Sequence, residues 1–408
     1  MAEAPHTVRR LHLTAAERSY ELLAPQDALV CPQELSEQLG GNVVVLSGQV
    51  AANDAQAGAS LVDMALRDAP EILVSGDGVD GPAARALPAE DSLWVRCAQP
   101  VPPLPVPAFA ELEQQTIDGT IGRFTERRIR ERLDQTLELP PLSATTRKLL
   151  AISGDPDADA RDLVELIEQD AALAARIVGW ANSAFYSAGG DVTTIHDAVV
   201  RVIGFDGVLA LAMGLSVGGA IPSPVLPAHG FPDYWIEALL TASVMENLYR
   251  RAPDLPFDRG SAYLSGLLCN FGTLVLGHTF PPQYQRICAL QAANRHLLYS
   301  HCDVAVVGMD REMLAAALLA GWDMPLLITQ AIREQHYEQT DLPLARLVYC
   351  ARALLAIDGL SSRPNHGLPL RAAECLGLTR DDLEHTLTIV RDGSDELAVL
   401  AAMFARGA

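Results

Sequence analysis

Between residues 140 and 204 apolar positions recur every three or four residues in four short bursts, each preceded by a residue suited to capping a helix. Ser143, Asp159, Asp170 and Thr194 stand at these starts, where a side-chain oxygen accepts from the free N–H groups of a first turn. The third burst runs from about Ala171 to Trp180, with Leu173, Ile177 and Trp180 on one face, and Asn182 is a residue type that ends helices. Further on, the nearly uninterrupted apolar run 208–217 predicts a helix buried on most sides, and the Gly- and Pro-rich stretch 218–232 predicts a loop. Helices are expected over 233–251, 261–279, 309–321, 325–335 and 342–357. A charged helix is expected over 124–137, its pairs Glu126/Arg130 and Arg127/Glu131 forming a solvated face. Thr379 with Asp382, and then Ser394, open what reads as a small helical appendage.

Before residue 100 the period changes. Thr14 with Glu17 forms a capping box and predicts a short helix to about Leu23. Strand-like runs near 28–30, 43–46, 71–74 and 92–97 alternate with helical patterns near 32–39 and 59–67, which predicts a small α/β domain over residues 1–99. Five prolines between Pro100 and Pro107 suit neither helix nor central strand, so residues 100–108 read as a stiff linker. A helical domain over 109–360 and a helical extension over 361–408 complete the expectation. The fold class is mainly α, preceded by a small α/β domain.

Composition sharpens this. Hydrophobic residues make up 49% of the 408 and aromatic ones only 5%, so the core must be aliphatic, which suits helix packing. The formal net charge is −21 and Lys148 is the single lysine, which argues against nucleic acid and against an anionic membrane surface. Cysteines 31, 97, 269, 288, 302, 350 and 375 are scattered singly, as in a reducing compartment. The first residues lack the apolar core of a signal peptide, and no run of about 18 apolar residues stands out. A cytoplasmic protein is expected. The Gly-rich segment 75–81 lacks the ending of a phosphate loop and the closing Glu of a calcium loop, and reads as turns.

The order Leu139-Pro140-Pro141-Leu142, Asp155-Pro156, Asp170 with Leu173, Ala181-Asn182-Ser183, then Ile195, Ala198 and Ile203-Gly204 resembles the opening half of the HDOD domain, the HD-related output domain of bacterial signalling proteins. Gly266-Leu267-Leu268 with Gly272, Trp322 with Pro325, and His336 resemble its second half, so the likeness spans roughly residues 125–360. The N-terminal unit is similar, by place and by strand–helix alternation, to the YbaK-type aminoacyl-tRNA deacylases. Those depend on a lysine, and none precedes Lys148, so the resemblance implies a degenerate unit.

The wider HD superfamily consists of metal-dependent phosphohydrolases that use a His-Asp pair with further His and Asp ligands. The corresponding dipeptide here is Cys269-Asn270, a thiol and a neutral amide. The pair His196-Asp197 lies in a first turn and reads as capping, His278 as a helix-end residue, and His301-Cys302-Asp303 as a surface loop. No G-x-S-x-G elbow or P-loop replaces the metal site, so no catalytic residue, metal or cofactor is expected. The resemblance implies a non-catalytic regulatory protein that binds a signalling partner or a small ligand in a vestigial pocket, placed at Asn182, Asn270, His278 and His336. Two alternatives stand beside it: a divergent metal-dependent phosphohydrolase acting on a nucleotide or cyclic dinucleotide, and an N-terminal unit that still recognises aminoacyl-tRNA.

Overall fold

The computed structural model describes residues 8–15, 18–25, 28–32, 36, 44–50, 72–75, 93–95, 98–100, 142–183, 186, 191–221, 234–252 and 254–405. The expected helices at 59–67 and 124–137, and the linker beyond Pro100, lie outside these residues. The chain divides into two compact units. One contains residues 1–104 together with 285–308, and the other residues 105–284 together with 309–408.

The larger unit is helical. Its described helices are α1 (Ala144–Ser153), α2 (Ala160–Glu168), α3 (Ala171–Ala181), α4 (Phe205–Gly218), α5 (Tyr234–Arg251), α6 (Arg259–Leu268) and α7 (Phe271–Thr279). The predicted caps are present: Ser143, Asp159, Asp170 and Thr194 each accept from backbone N–H groups of the turn they open. Asp159 and Asp162 close a reciprocal capping box. After Thr194 a short turn, Ile195–Asp197, widens into a π turn over Ala198–Val202. Asp197 serves there as expected: its hydrogen bond from Thr194, with help from Arg201, holds its carboxyl below the ordinary carboxylate value.

Helix α4 is buried on nearly every side, as its unbroken apolar run requires. The stretch expected as one helix over 261–279 is broken at Cys269 and Asn270 into α6 and α7. Among the described residues, 259–279 is the one stretch long and apolar enough to cross a membrane by length and composition, and 83% of its apolar window is buried inside the protein. It is not an uninterrupted apolar run, since it carries Arg259, Ser261, Ser265 and Asn270.

The chain next forms α8 (Pro281–Ala293) and α9 (Tyr299–Val307), whose residues 285–308 belong to the smaller unit. It then returns to the larger unit with α10 (Arg311–Gly321), α11 (Leu326–Glu334), α12 (Pro343–Ile357), α13 (Leu370–Glu374) and α14 (Arg380–Ala405). Helix α14 is no loose appendage. Leu383, Thr386, Leu387 and Val390 are buried, Arg251 on α5 pairs with Asp382 at 3.6 Å, and Arg391 grips Asp358 with two hydrogen bonds of 2.7 Å.

In the smaller unit the capping-box reading fails. Thr14 and Glu21 lie in a hairpin of β1 (Val8–Ala15) and β2 (Arg18–Pro25), registered from Val8 opposite Pro25 to Ala15 opposite Arg18. Pairing on both edges overrides the local helix signal, because β1 also pairs with β4 (Val44–Val50). Parallel strands β5 (Ile72–Ser75) and β6 (Leu93–Val95) extend the sheet to the order β4-β1-β2-β5-β6. A second sheet pairs β3 (Ala28–Val30) with β7 (Ala98–Pro100). Pro100 is thus strand, not linker: it sits opposite Ala28 at the strand end, a position where proline is tolerated.

Candidate functional site

The break between α6 and α7 places Cys269 and Asn270 in a buried turn. Gly266 allows this by lying against α5, where a Cβ would come within 2.5 Å of the Ala242 Cα. On the other side, a Cβ at Gly272 would collide with the Arg311 carbonyl oxygen at the start of α10. The turn is therefore wedged between α5 and α10, and its polar groups face a set of buried polar side chains from four helices.

Arg352 on α12 is the centre of that set, with 1% of its surface exposed. Its guanidinium donates to Glu237 on α5 at 3.0 Å and to the Gln335 side-chain oxygen at 2.9 Å, with Glu312 on α10 at 4.0 Å. The Gln335 amide in turn donates to the Cys269 carbonyl at 2.8 Å, fastening the α6–α7 turn to the end of α11. Glu237 also accepts from the Ser361 hydroxyl and from the Ser362 backbone N–H and hydroxyl. Arg363 donates to the Gln335 carbonyl at 3.1 Å and lies over the Tyr349 ring at 4.5 Å. Residues 361–363, expected in a separate extension, thus complete the core of the helical unit, because a buried carboxylate must be hydrogen-bonded.

Electrostatics follow the burial. Burial alone would raise the Glu312 carboxyl, but His336, Arg311 and Arg352 outweigh it and hold the group below its ordinary value. Burial pushes the Cys269 thiol up to about 12, with Arg352 and Thr241 only partly opposing it, so the sulfur stays protonated. Asn270 donates to the Tyr234 carbonyl at 3.0 Å, while its Oδ1 meets no donor.

The four candidate residues are not all gathered here. Asn270 and His336 flank the Cys269–Gln335 bond, both buried, with the His336 ring 4.0 Å from that of Tyr337. Asn182 is exposed and uses its amide on its own loop, accepting from Val192 N–H at 2.7 Å and donating to the Val192 and Val178 carbonyls. His278 is exposed in the last turn of α7. His301-Cys302-Asp303 is helix and not surface loop, with Cys302 and Asp303 fully buried in α9. Sequence reading missed Glu237, Arg352, Gln335 and the two serines. The available signal was a charge set within an apolar stretch of helix, Glu237 in YWIEALL and Arg352 in LVYCARALL, which marks a buried pair.

A second buried cluster ties the α3 end to the start of α6. Tyr186 and Arg259 both donate to Glu246, which Arg250 also reaches at 2.7 Å, and Arg259 donates to the Ile203 carbonyl at 3.0 Å. Burial, followed by the Glu246 charge, pushes the Tyr186 hydroxyl well above its usual value.

The HD resemblance implies a metal, and the residues present do not fit one. A protonated thiol and a neutral amide with one free oxygen stand where an imidazole and a carboxylate are needed. Among the described residues no three His, Cys, Asp or Glu side chains come together as a metal would require.

Residues 139–338, which hold this turn and the helices around it, match the HDOD domain family: this part of the chain is an HDOD domain. The whole chain is similar to a candidate signal transduction protein from Marinobacter aquaeolei VT8 of known crystal structure, with 27% identity, a TM-score of 0.78, and coverage of 99% of this chain and 94% of that one. An HDOD domain protein of unknown function from Geobacter sulfurreducens shares the fold at 18% identity and a TM-score of 0.57, over 70% of this chain and 99% of that one. An uncharacterized protein of Treponema pallidum (strain Nichols) is 27% identical over 234 residues, 57% of this chain but only 42% of that protein's length.

Proposed function

We propose that this protein is a signal-transduction component whose HDOD domain works by recognition and not by catalysis, binding a partner protein or small ligand and answering with a rearrangement of its helices. The observation that carries the reading is the identity of the cation at the α6–α7 turn. It is the Arg352 guanidinium, neutralised by Glu237 beside Glu312, and the residues that would hold a metal are absent from the turn. The Marinobacter likeness over nearly the full chain supports a signalling role, and the net charge of −21 favours a partner with a basic surface. The buried Asn270 Oδ1 is the acceptor that an N–H group of a ligand would satisfy. A cytoplasmic setting and a degenerate N-terminal input unit belong to the same reading.

Metal content by mass spectrometry, on protein purified without chelator or affinity metal, tests it. Less than about a tenth of an equivalent of Mn, Fe, Zn or Mg is expected, with no hydrolysis of cyclic dinucleotides when those metals are added. A stoichiometric metal with turnover abolished by His336→Ala would overturn the reading in favour of a phosphohydrolase.

A further inference from the structure

Past α12, within the helical unit, the chain crosses the Arg352 centre as a short loop whose ends are drawn together. Gly359, just beyond the end of α12, takes a left-handed φ of 70°, and Gly367 one of 80°. Between them the Asn365 amide donates to the Ile357 carbonyl at 3.4 Å, and its oxygen accepts from the Gly367 N–H at 2.9 Å. These bonds close the neck of an Ω-type loop. The loop is buried on its inner side alone: Ser361, Arg363 and Pro364 are covered, whereas Asn365, His366 and Gly367 are exposed. A Cβ at Gly359 or at Gly367 would meet nothing within 4 Å among the described residues, so both ends stand in open space.

To Glu237 this loop gives neutral donors. The Ser361 hydroxyl reaches the carboxylate at 2.8 Å, the Ser362 N–H at 3.2 Å and the Ser362 hydroxyl at 3.0 Å, while that hydroxyl accepts from Arg352 at 3.3 Å. The 3.0 Å bond from Arg352 to Glu237 does not pass through the loop. Withdrawing the loop therefore gives up hydrogen bonds that water can replace, and leaves no buried carboxylate without its cation. Arg363 adds its bond of 3.1 Å to the Gln335 carbonyl, and the root of the loop is held by the Arg391–Asp358 pair, whose solvent exposure makes it weak. We propose that residues 360–366 form a hinged strap that swings about Gly359 and Gly367 while the helices stay folded, uncovering the Glu237 carboxylate and the Gln335 carbonyl. Closed, the strap fills the acceptor positions of Glu237 with the chain's own donors; open, it leaves them to donors from solution. This holds whether or not the helical domain is catalytic.

Native-state hydrogen exchange on the full chain is the test, because the Ser362 N–H is bonded to Glu237 only while the strap is closed. In the unaltered protein, 358–367 is expected to be protected at least about a hundredfold less than 208–217 in α4, with little dependence on low urea. Equal protection and equal urea dependence at the two places would mean that the loop opens only when the unit unfolds, and would overturn the proposal. Gly359→Ala places a side chain on the left-handed backbone that the closed strap requires, and should speed exchange at 358–367 by about tenfold with 208–217 unchanged. Carbodiimide coupling of an amine to Glu237, read by mass spectrometry, should rise in the same variant; faster exchange with no added coupling at Glu237 would refute the uncovering. If Gly359→Ala fails to fold, Gly367→Ala gives both readings at the other hinge, and the urea series on the unaltered protein stands without either variant.

Discussion

Arg352 holds three elements together, since its guanidinium joins α12 to α5 and to the end of α11. Replacing it by methionine leaves the Glu237 carboxylate buried without its cation, a loss of about 3–5 kcal/mol. Urea denaturation is expected to show this, with Arg352→Lys recovering only part because a lysine cannot make the forked pair of bonds. The thiols make a second residue-scale prediction. Burial raises both Cys269 and Cys350 to about 12 in the folded chain, above the ordinary thiol value of 9.0. A group with a raised pKa contributes stability that is whole below its unfolded value and lost as pH climbs toward the folded one. Stability should therefore fall between pH 9 and 12, by up to about 1.4 kcal/mol per pH unit for each thiol. Thermal melts across that range check it, and Cys269→Ala should flatten the slope. Exposed Cys375 should be the first of the described cysteines to react with a thiol reagent, ahead of buried Cys269, Cys288, Cys302 and Cys350.

Among elements, the crossing of α5 and α6 depends on Gly266, so Gly266→Ala is expected to force the helices apart at a cost of about 1–3 kcal/mol. Gly179 in α3 is the internal control. Its Cβ would meet nothing within 4 Å, so Gly179→Ala should stabilise by roughly 0.5–1 kcal/mol through better helix propensity. Equilibrium unfolding of the two variants should move in opposite directions. Helices were legible where local signals agreed: caps at Ser143, Asp159, Asp170 and Thr194, and an apolar stripe through Leu173, Ile177 and Trp180, all stand in the structure. They were illegible where distant pairing decided the outcome. Thr14 and Glu17 make a sound capping box, yet β1 is claimed by two neighbouring strands. The break at Cys269 and Asn270 carries no proline, and distant packing explains it: Gly266 lies against α5, Gly272 against α10, and the Cys269 carbonyl is fastened to Gln335. Of the residues around the α6–α7 turn, the family pattern points to Asn270 and His336. Glu237, Gln335 and Arg352 converge from three helices, a meeting that no local spacing records.

At the scale of the molecule, a boundary drawn from sequence at residue 360 would cut through the protein's core. A chain ending there loses Ser361, Ser362 and Arg363 and the buried face of α14, leaving Glu237 with Arg352 alone. Such a truncation is expected to express as an unfolded or insoluble product, judged by far-UV circular dichroism, while a chain ending after residue 392 keeps the helical signal and a cooperative melt. The assignment of 285–308 was hidden, because helical patterning continues there while the chain joins the other unit.

An ion drawn from solution comes and goes with its supply, whereas a guanidinium is installed when the chain is made and keeps its charge at every physiological pH. With Arg352 at its hub, the positive charge at the α6–α7 turn is supplied by the chain itself. Its melting temperature should be indifferent to EDTA. A signal that is to reach the Asn270 oxygen must first part the helices packed around it.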